Sequence, residues 1–198
     1  MKKGKLTREM ILEKAAGLFN SRGYFGASIS DVMEATGLEK GGIYNHFGSK
    51  DELALAAFDY VVAISGAKLL SAVKKHDSAL DKLTAIVDSF EHVVLNPTVP
   101  GGCPLLNSAV ESDDAHPALK ERVQIAMLKL LGLVESIVIK GIESRELRDD
   151  LSPYAVATHL IASLEGAIML AKLYGEPARF SAVAGSLKQF IKSCASAR

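Results

Sequence analysis

The sequence contains no tryptophan, only two cysteines and six prolines in 198 residues, and no excess charge of either sign, with 23 Lys and Arg against 23 Asp and Glu. Each shortage excludes something. Two cysteines build no disulfide framework and point to a reducing compartment. Seven Phe and five Tyr are few, so a ligand pocket walled by aromatic rings is disfavoured. The balanced charge rules out a uniformly basic or acidic protein. The longest stretch without Asp, Glu, Lys or Arg, residues 92–110, is interrupted by Pro97, Pro100, Gly101, Gly102 and Pro104 and cannot form a membrane-spanning helix. The lysines near the start are not followed by the apolar run of a secretory leader. These features lead us to expect a soluble, cytoplasmic chain that meets no membrane.

Catalytic signatures are missing as well. There is no G-x-G-x-x-G, P-loop, H-E-x-x-H or nucleophile elbow, and the available acids and bases, such as Glu91, His92 and Glu165, are scattered. The sequence therefore predicts neither an enzyme nor a cofactor. No run alternates apolar and polar residues long enough for a strand, and there is no internal repeat.

What is present is ordinary globular material, 48% hydrophobic and 23% charged, enough for a core and one or two domains. The charge is unevenly spread. Residues 1–50 hold eight Lys and Arg against five acids, a net +3, which leaves −3 for the remainder. A basic beginning on a neutral chain points to a polyanionic partner at that end.

The apolar spacing is helical throughout. Ile11, Leu12, Ala15, Leu18 and Phe19 share one face of a first helix, capped at Thr7 and stopped by Gly23. A second helix starts at Ser28 and ends before Gly37, and a third runs from about Lys40 to Phe47 with Gly48 as its stop. Ser49 and Glu52 form an S-x-x-E capping box that opens a fourth helix, about 50–75. Further helices are expected at about 79–95, 103–112, 118–144, 153–174 and 177–195. The expected fold is all-α: a three-helix head over residues 1–49 and a six-helix body over 50–198.

The segment SISDVMEATGLEKGGIYNHFGSKDEL, residues 28–53, reads as a helix-turn-helix. The second helix of that motif enters the DNA major groove. Lys40 can reach a phosphate or a guanine edge, Gly41 and Gly42 let the backbone approach the duplex, and Tyr44, Asn45 and His46 offer polar tips. Ile43 and Phe47, four apart, face the core. Ser28, and Ser49 with Lys50, stand at helix starts, where free amides and the helix dipole favour phosphate. Lys2, Lys3 and Lys5 add a basic arm.

The string GIYNHFGSKDEL, together with LFNSRGY before it, resembles the tetracycline-repressor (TetR) family of bacterial transcriptional regulators over residues 7–58. The resemblance implies that Lys40, Gly42, Tyr44, His46 and Lys50 touch double-stranded operator DNA and that Phe47 is core. One departure is Glu39, where Ser or Thr often caps the recognition helix in the family; its charge would repel a nearby phosphate.

In the body, the helix 153–174 is apolar nearly all round and the last helix carries an apolar stripe, which marks burial on several sides. The resemblance implies that these two helices pair with their copies in a homodimer, and a symmetric dimer suits two half-sites. Residues 50–144 supply apolar side chains with a few polar ones, the composition of a small-molecule site. His92, Asn107 and His159 are candidates to line a pocket for an unidentified inducer, although core or interface roles remain open for each. Cys103 follows Gly101 and Gly102 at a helix start, where the dipole favours thiolate, and is either an electrophile sensor or a small buried cap. The resemblance places Lys172 as a cation near it. A metal site of Cys103, His92 and His116 has no ligand spacing to support it, so none is expected. The function expected is that of a repressor released by a ligand or an electrophile. The alternative is a helical carrier or scaffold for a lipophilic molecule that binds no DNA.

Overall fold

The computed structural model describes residues 2–112 and 115–196. Among them the chain forms nine helices and no strand: α1 (Lys2–Gly26), α2 (Ile29–Thr36), α3 (Lys40–Tyr44), α4 (Lys50–Val73), α5 (Ala79–Leu95), α6 (Pro104–Ser112), α7 (Pro117–Glu143), α8 (Pro153–Tyr174) and α9 (Pro177–Ser193). They belong to two compact units. The first comprises Met1–Ser65 with Thr98–Gln124, the second Gly66–Pro97 with Ile125–Arg198. Helices α4 and α7 each contribute residues to both.

In the first unit, α1, α2, α3 and the start of α4 enclose Ile11, Leu12, Ala15, Ala16, Val32, Ile43, Phe47, Leu53, Ala57 and Val61. These are the periodic apolar positions of the sequence, and burying each large one is worth about 1.5–3 kcal/mol. Helix α1 begins before Thr7, which lies inside it. One cap residue is worth only ~1 kcal/mol, and Lys2, Lys3, Lys5 and Leu6 are good helix formers. The break at Gly23 is present, with φ at 79°. Helix α2 has the expected Ser28 cap and a left-handed Gly37 after it.

Helix α3 is shorter than its pattern suggested and ends at Tyr44. The Asn45 N–H is shared between the carbonyls of Gly41 and Ile43, and the His46 N–H bonds Ile43 three residues back at 2.9 Å. The chain thus tightens into a turn, which delivers Phe47 to the core. Helix α6 also belongs to this unit. The Asn20 side chain on α1 donates to the carbonyls of Pro100 and Gly102, at 2.8 and 3.1 Å. The Asn107 amide on α6 donates to the carbonyls of Asn20 and Gly101, at 2.9 and 2.8 Å. These bonds tie residues 100–107 to α1.

In the second unit, α5, α8 and α9 pack on one another around Leu83, Ile86, Val87, Leu160, Leu164, Phe180, Leu187 and Ile191. Gly141 closes α7. A Cβ there would come within 2.6 Å of Leu147 and 2.7 Å of Ala79, so only glycine lets these elements meet. Glu146, beyond the turn, accepts the Ala79 N–H at 2.6 Å and so satisfies the start of α5. Ala195, just beyond α9, forms an isolated antiparallel bridge with Leu147.

Helices α4 and α8 are long and apolar enough to cross a membrane by length and composition alone, with mean hydropathies of 1.7 and 1.4. In α8 half of that apolar stretch is buried inside the protein, as expected of a core helix.

Candidate nucleic-acid interface

Helix α3 is anchored from below and open above. Ile43 is fully buried and Phe47 nearly so, while Lys40, Gly41, Tyr44 and Asn45 are exposed. The Lys40 ammonium lies 5.8 Å from the centre of the Tyr44 ring, one turn on. A Cβ on Gly41 would meet nothing within 4 Å, and one on Gly42 only the Leu38 side chain, at an ordinary 3.5 Å. The fold itself therefore does not require glycine at 41. In a helix a glycine costs up to ~1 kcal/mol relative to alanine, and a partner approaching closely from outside would offset that cost.

His46 is half-buried beside α1, with its Cε1 4.0 Å from where a Cβ on Gly4 would be. Arg8, further along α1, lays its guanidinium over the Phe47 ring at 4.8 Å. The N-terminal turns of α1, including Lys5, thus run beside the end of the α3 segment. The side chains of Lys2 and Lys3 lie outside the described residues.

The two serine-capped helix starts differ. The Ser28 hydroxyl accepts the Asp31 N–H at 3.2 Å and donates to the Asp31 carboxylate, which also takes the Ser28 N–H at 2.7 Å. Arg22 completes the set through an ion pair with Asp31 at 2.5 Å. Hydrogen bonds from the Ser28 hydroxyl and backbone, followed by the Arg22 charge, hold the Asp31 carboxyl below its ordinary range. Ser28 is therefore already occupied by an acid. At α4, Ser49 accepts the Glu52 N–H at 3.0 Å, while Glu52 reaches back to the N–H of Gly48, not of Ser49, at 2.7 Å. The capping box is thus opened by one residue.

Lys50, in the first turn of α4, lies with its ammonium 4.5 Å from the centre of the Tyr24 ring. The Tyr24 hydroxyl donates to the Asp51 carboxylate. That bond, burial and the Asp51 charge push the phenol up to about 12. The Tyr24 and Phe25 N–H groups both donate to the Glu111 carboxylate, at 2.7 and 2.8 Å. The Tyr24 ring also meets His116 edge-on, at 4.6 Å and 88°. Sequence reasoning missed Tyr24, Glu111 and Asn20 as organisers of this site. Only the glycine before Tyr24 hinted at a turn there, and no local pattern signals a partner 87 residues away.

The sensor candidates fall in both units. In the first, Cys103 is buried, and its carbonyl accepts the Asn107 N–H at 3.2 Å. Asn107 belongs to the amide tie between α1 and α6. His116 is buried, and its Nδ1 accepts the Leu119 N–H at the start of α7. In the second unit, His92 is exposed near the end of α5 and Lys172 is exposed in the last turn of α8. His159 stacks edge-on against Phe190 in an open groove of about 290 Å³ between α8 and α9, lined also by Ser163, Val183 and Ser186.

Comparison with known proteins agrees with this geometry. Residues 11–57 match the family description "Bacterial regulatory proteins, tetR family", and residues 79–187 match "Tetracyclin repressor-like, C-terminal domain". A TetR transcriptional regulator from Chloroflexus aurantiacus superposes with a TM-score of 0.95 at 40% identity, covering 98% of both chains. One from Cytophaga hutchinsonii gives 0.91 at 32%, covering 100% of this chain and 99% of that one. The HTH-type transcriptional repressor DhaR of a Mycobacterium species is 26% identical over 167 residues, 84% of this chain and 82% of its own. The chain carrying Tyr44 on its exposed short helix belongs to the TetR family of bacterial transcriptional regulators.

Proposed function

We propose that this regulator represses transcription as a cytoplasmic homodimer bound to a palindromic operator. Residues 1–49 form the DNA-binding head and 50–198 the regulatory and dimerisation part. Lys40, Gly41, Gly42, Tyr44, Asn45 and His46 face the major groove, and Ser49 and Lys50 face phosphates, while Ser28, whose hydroxyl and N–H are held by the Asp31 carboxylate, serves as the cap of α2. The observation that carries this reading is the open face of α3: an exposed lysine and tyrosine around a glycine that nothing inside the protein requires.

Dimerisation through α8 and α9 is supported by what their free side displays. Met169 and Leu173 of α8 are exposed apolar side chains, and Cβ positions on Gly166 and Gly185 would meet nothing within 4 Å. A second copy would cover the apolar surface and find room for its backbone.

Release follows from a population shift. An inducer, or an electrophile that bonds the Cys103 sulfur after the thiol has given its proton to solvent, favours a spacing of the two α3 helices that no longer fits the operator, with α4 carrying the change. Lys172, His159 and His92 are the polar residues assigned to this regulation; the Asn107 amide is already taken by the carbonyls of Asn20 and Gly101.

The test is a gel shift with the region upstream of its own gene at two salt concentrations, before and after alkylation by N-ethylmaleimide. Binding that falls steeply with salt supports the head as drawn. Binding to no duplex even in dilute salt sinks the reading. A Cys103→Ser protein that still releases DNA on alkylation ends the cysteine part alone.

A further inference from the structure

The contacts around the first turn of α4 converge on one ring. Tyr24 receives the Lys50 ammonium on its face at 4.5 Å and holds an Asp51 oxygen on its hydroxyl. Its own place is set three ways: by that hydroxyl bond, by its N–H on Glu111 at 2.7 Å, and by the His116 ring against its edge. We propose that Tyr24 is a positioning residue for DNA binding, its ring holding the Lys50 ammonium in the place from which it meets a DNA phosphate. The inference rests on the DNA-facing reading of Lys50 given above and deepens it.

A lysine is a point charge on a flexible stem, and ordering that stem on binding costs entropy. An aromatic face attracts the ammonium and orders the stem beforehand. The fixed ring also separates the two charges of the turn, since it takes the carboxylate of Asp51 on its edge and leaves the ammonium of Lys50 over its face. Lys50 is half-buried.

The experiment measures full-length protein binding, by fluorescence anisotropy across a salt series, to the duplex upstream of its own gene and to a random duplex of equal length. Lys50→Met is expected to flatten the plot of log affinity against log salt by about 0.9 for each phosphate the lysine had neutralised. Tyr24→Leu is expected to flatten it in the same direction and to weaken binding about two- to fivefold at low salt. Tyr24→Phe, which keeps the ring, should match wild type in slope. In the Lys50→Met background, Tyr24→Leu should change the slope no further.

A Tyr24→Leu slope equal to wild type overturns the proposal. So does an equal loss of affinity from Tyr24→Leu with and without Lys50, or a Tyr24→Phe protein that behaves like Tyr24→Leu. Because Tyr24→Leu also removes packed surface, a second measurement needs no DNA. The Lys50 Hε protons of the wild type should be shifted upfield by the ring, and random-coil values there overturn the proposal. A wild type that binds neither duplex, or a Lys50→Met protein identical to it, overturns the DNA-facing reading together with this one. The other failures overturn the role of Tyr24 alone.

Discussion

The carboxylate of Glu111 occupies the space a side chain on Gly23 would need: a Cβ there would lie 2.5 Å from one of its oxygens. The backbone at Gly23 also has φ at 79°, which costs a non-glycine residue about 1–3 kcal/mol where the structure enforces it. Gly23→Ala should therefore destabilise the protein by about 2 kcal/mol or more. Glu111→Ala, which orphans the N–H groups of Tyr24 and Phe25, should cost about 1.5–3 kcal/mol. Urea unfolding of the two variants checks both, and a drop under about half a kcal/mol in either contradicts the clamp.

Gly101→Ala should cost more than Gly23→Ala. Its φ is 114°, and the added carbon would come within 2.3 Å of the Asn20 carbonyl oxygen. That atom belongs to a helix backbone and cannot swing aside as the Glu111 carboxylate can. The comparison is of urea midpoints under one condition, and the reverse order would show that the 100–107 segment gives way easily.

Gly41→Ala should separate folding from function. The position is helical and open, so alanine should raise stability by up to ~1 kcal/mol. The same methyl group lies where the duplex backbone is expected, so operator affinity should fall at least about tenfold, the equivalent of 1.4 kcal/mol. Thermal unfolding and gel shift on one preparation decide it. Unchanged affinity would remove α3 from the groove.

Two titrations follow from the perturbed groups. One of the five tyrosines should resist ionisation until about pH 12, visible as a late step in phenolate absorbance that Asp51→Asn shifts downward. Tyr24 is raised in the folded state, so its contribution to stability is complete below about pH 10 and is lost as the pH climbs towards 12. Asp31 is lowered, so its contribution is present above the ordinary aspartate range and lost as the pH falls through the folded value. The urea midpoint of Asp31→Asn should accordingly lie below that of wild type near neutral pH and approach it in acid. A gap that persists unchanged in strong acid counts against the Ser28 cap as its source.

Legibility in the sequence followed the range of the forces involved. Helix α8 could be read at both ends because its signals are local: Ser152 accepts the Ala155 N–H, Pro153 opens the helix, and a left-handed Gly175 closes it. Ile43 and Phe47 were legible as core because four-residue spacing puts both on one side. The end of α3 was less legible, since the turn through His46 forms to bring Phe47 inward, a tertiary demand that overrides the helical pattern. Least legible were the partners of Tyr24, Asn20 and Gly101. They depend on pairs 80 or more residues apart, and neither residue of such a pair signals the other. Asn107 shows the same limit: its amide could equally have pointed at a ligand, and only the fold reveals that it is spent on two carbonyls.

The tie among Asn20, Asn107 and the carbonyls of residues 100–102 is made of neutral amides alone. Dissolved ions screen charges, and they leave bonds between uncharged dipoles nearly untouched. Raising ionic strength should therefore strip such a repressor from its promoter while the joint between its first and sixth helices stays closed. Protein freed from DNA by salt should keep this joint intact, and slow exchange of the Asn107 backbone amide, which bonds the Cys103 carbonyl, would show it.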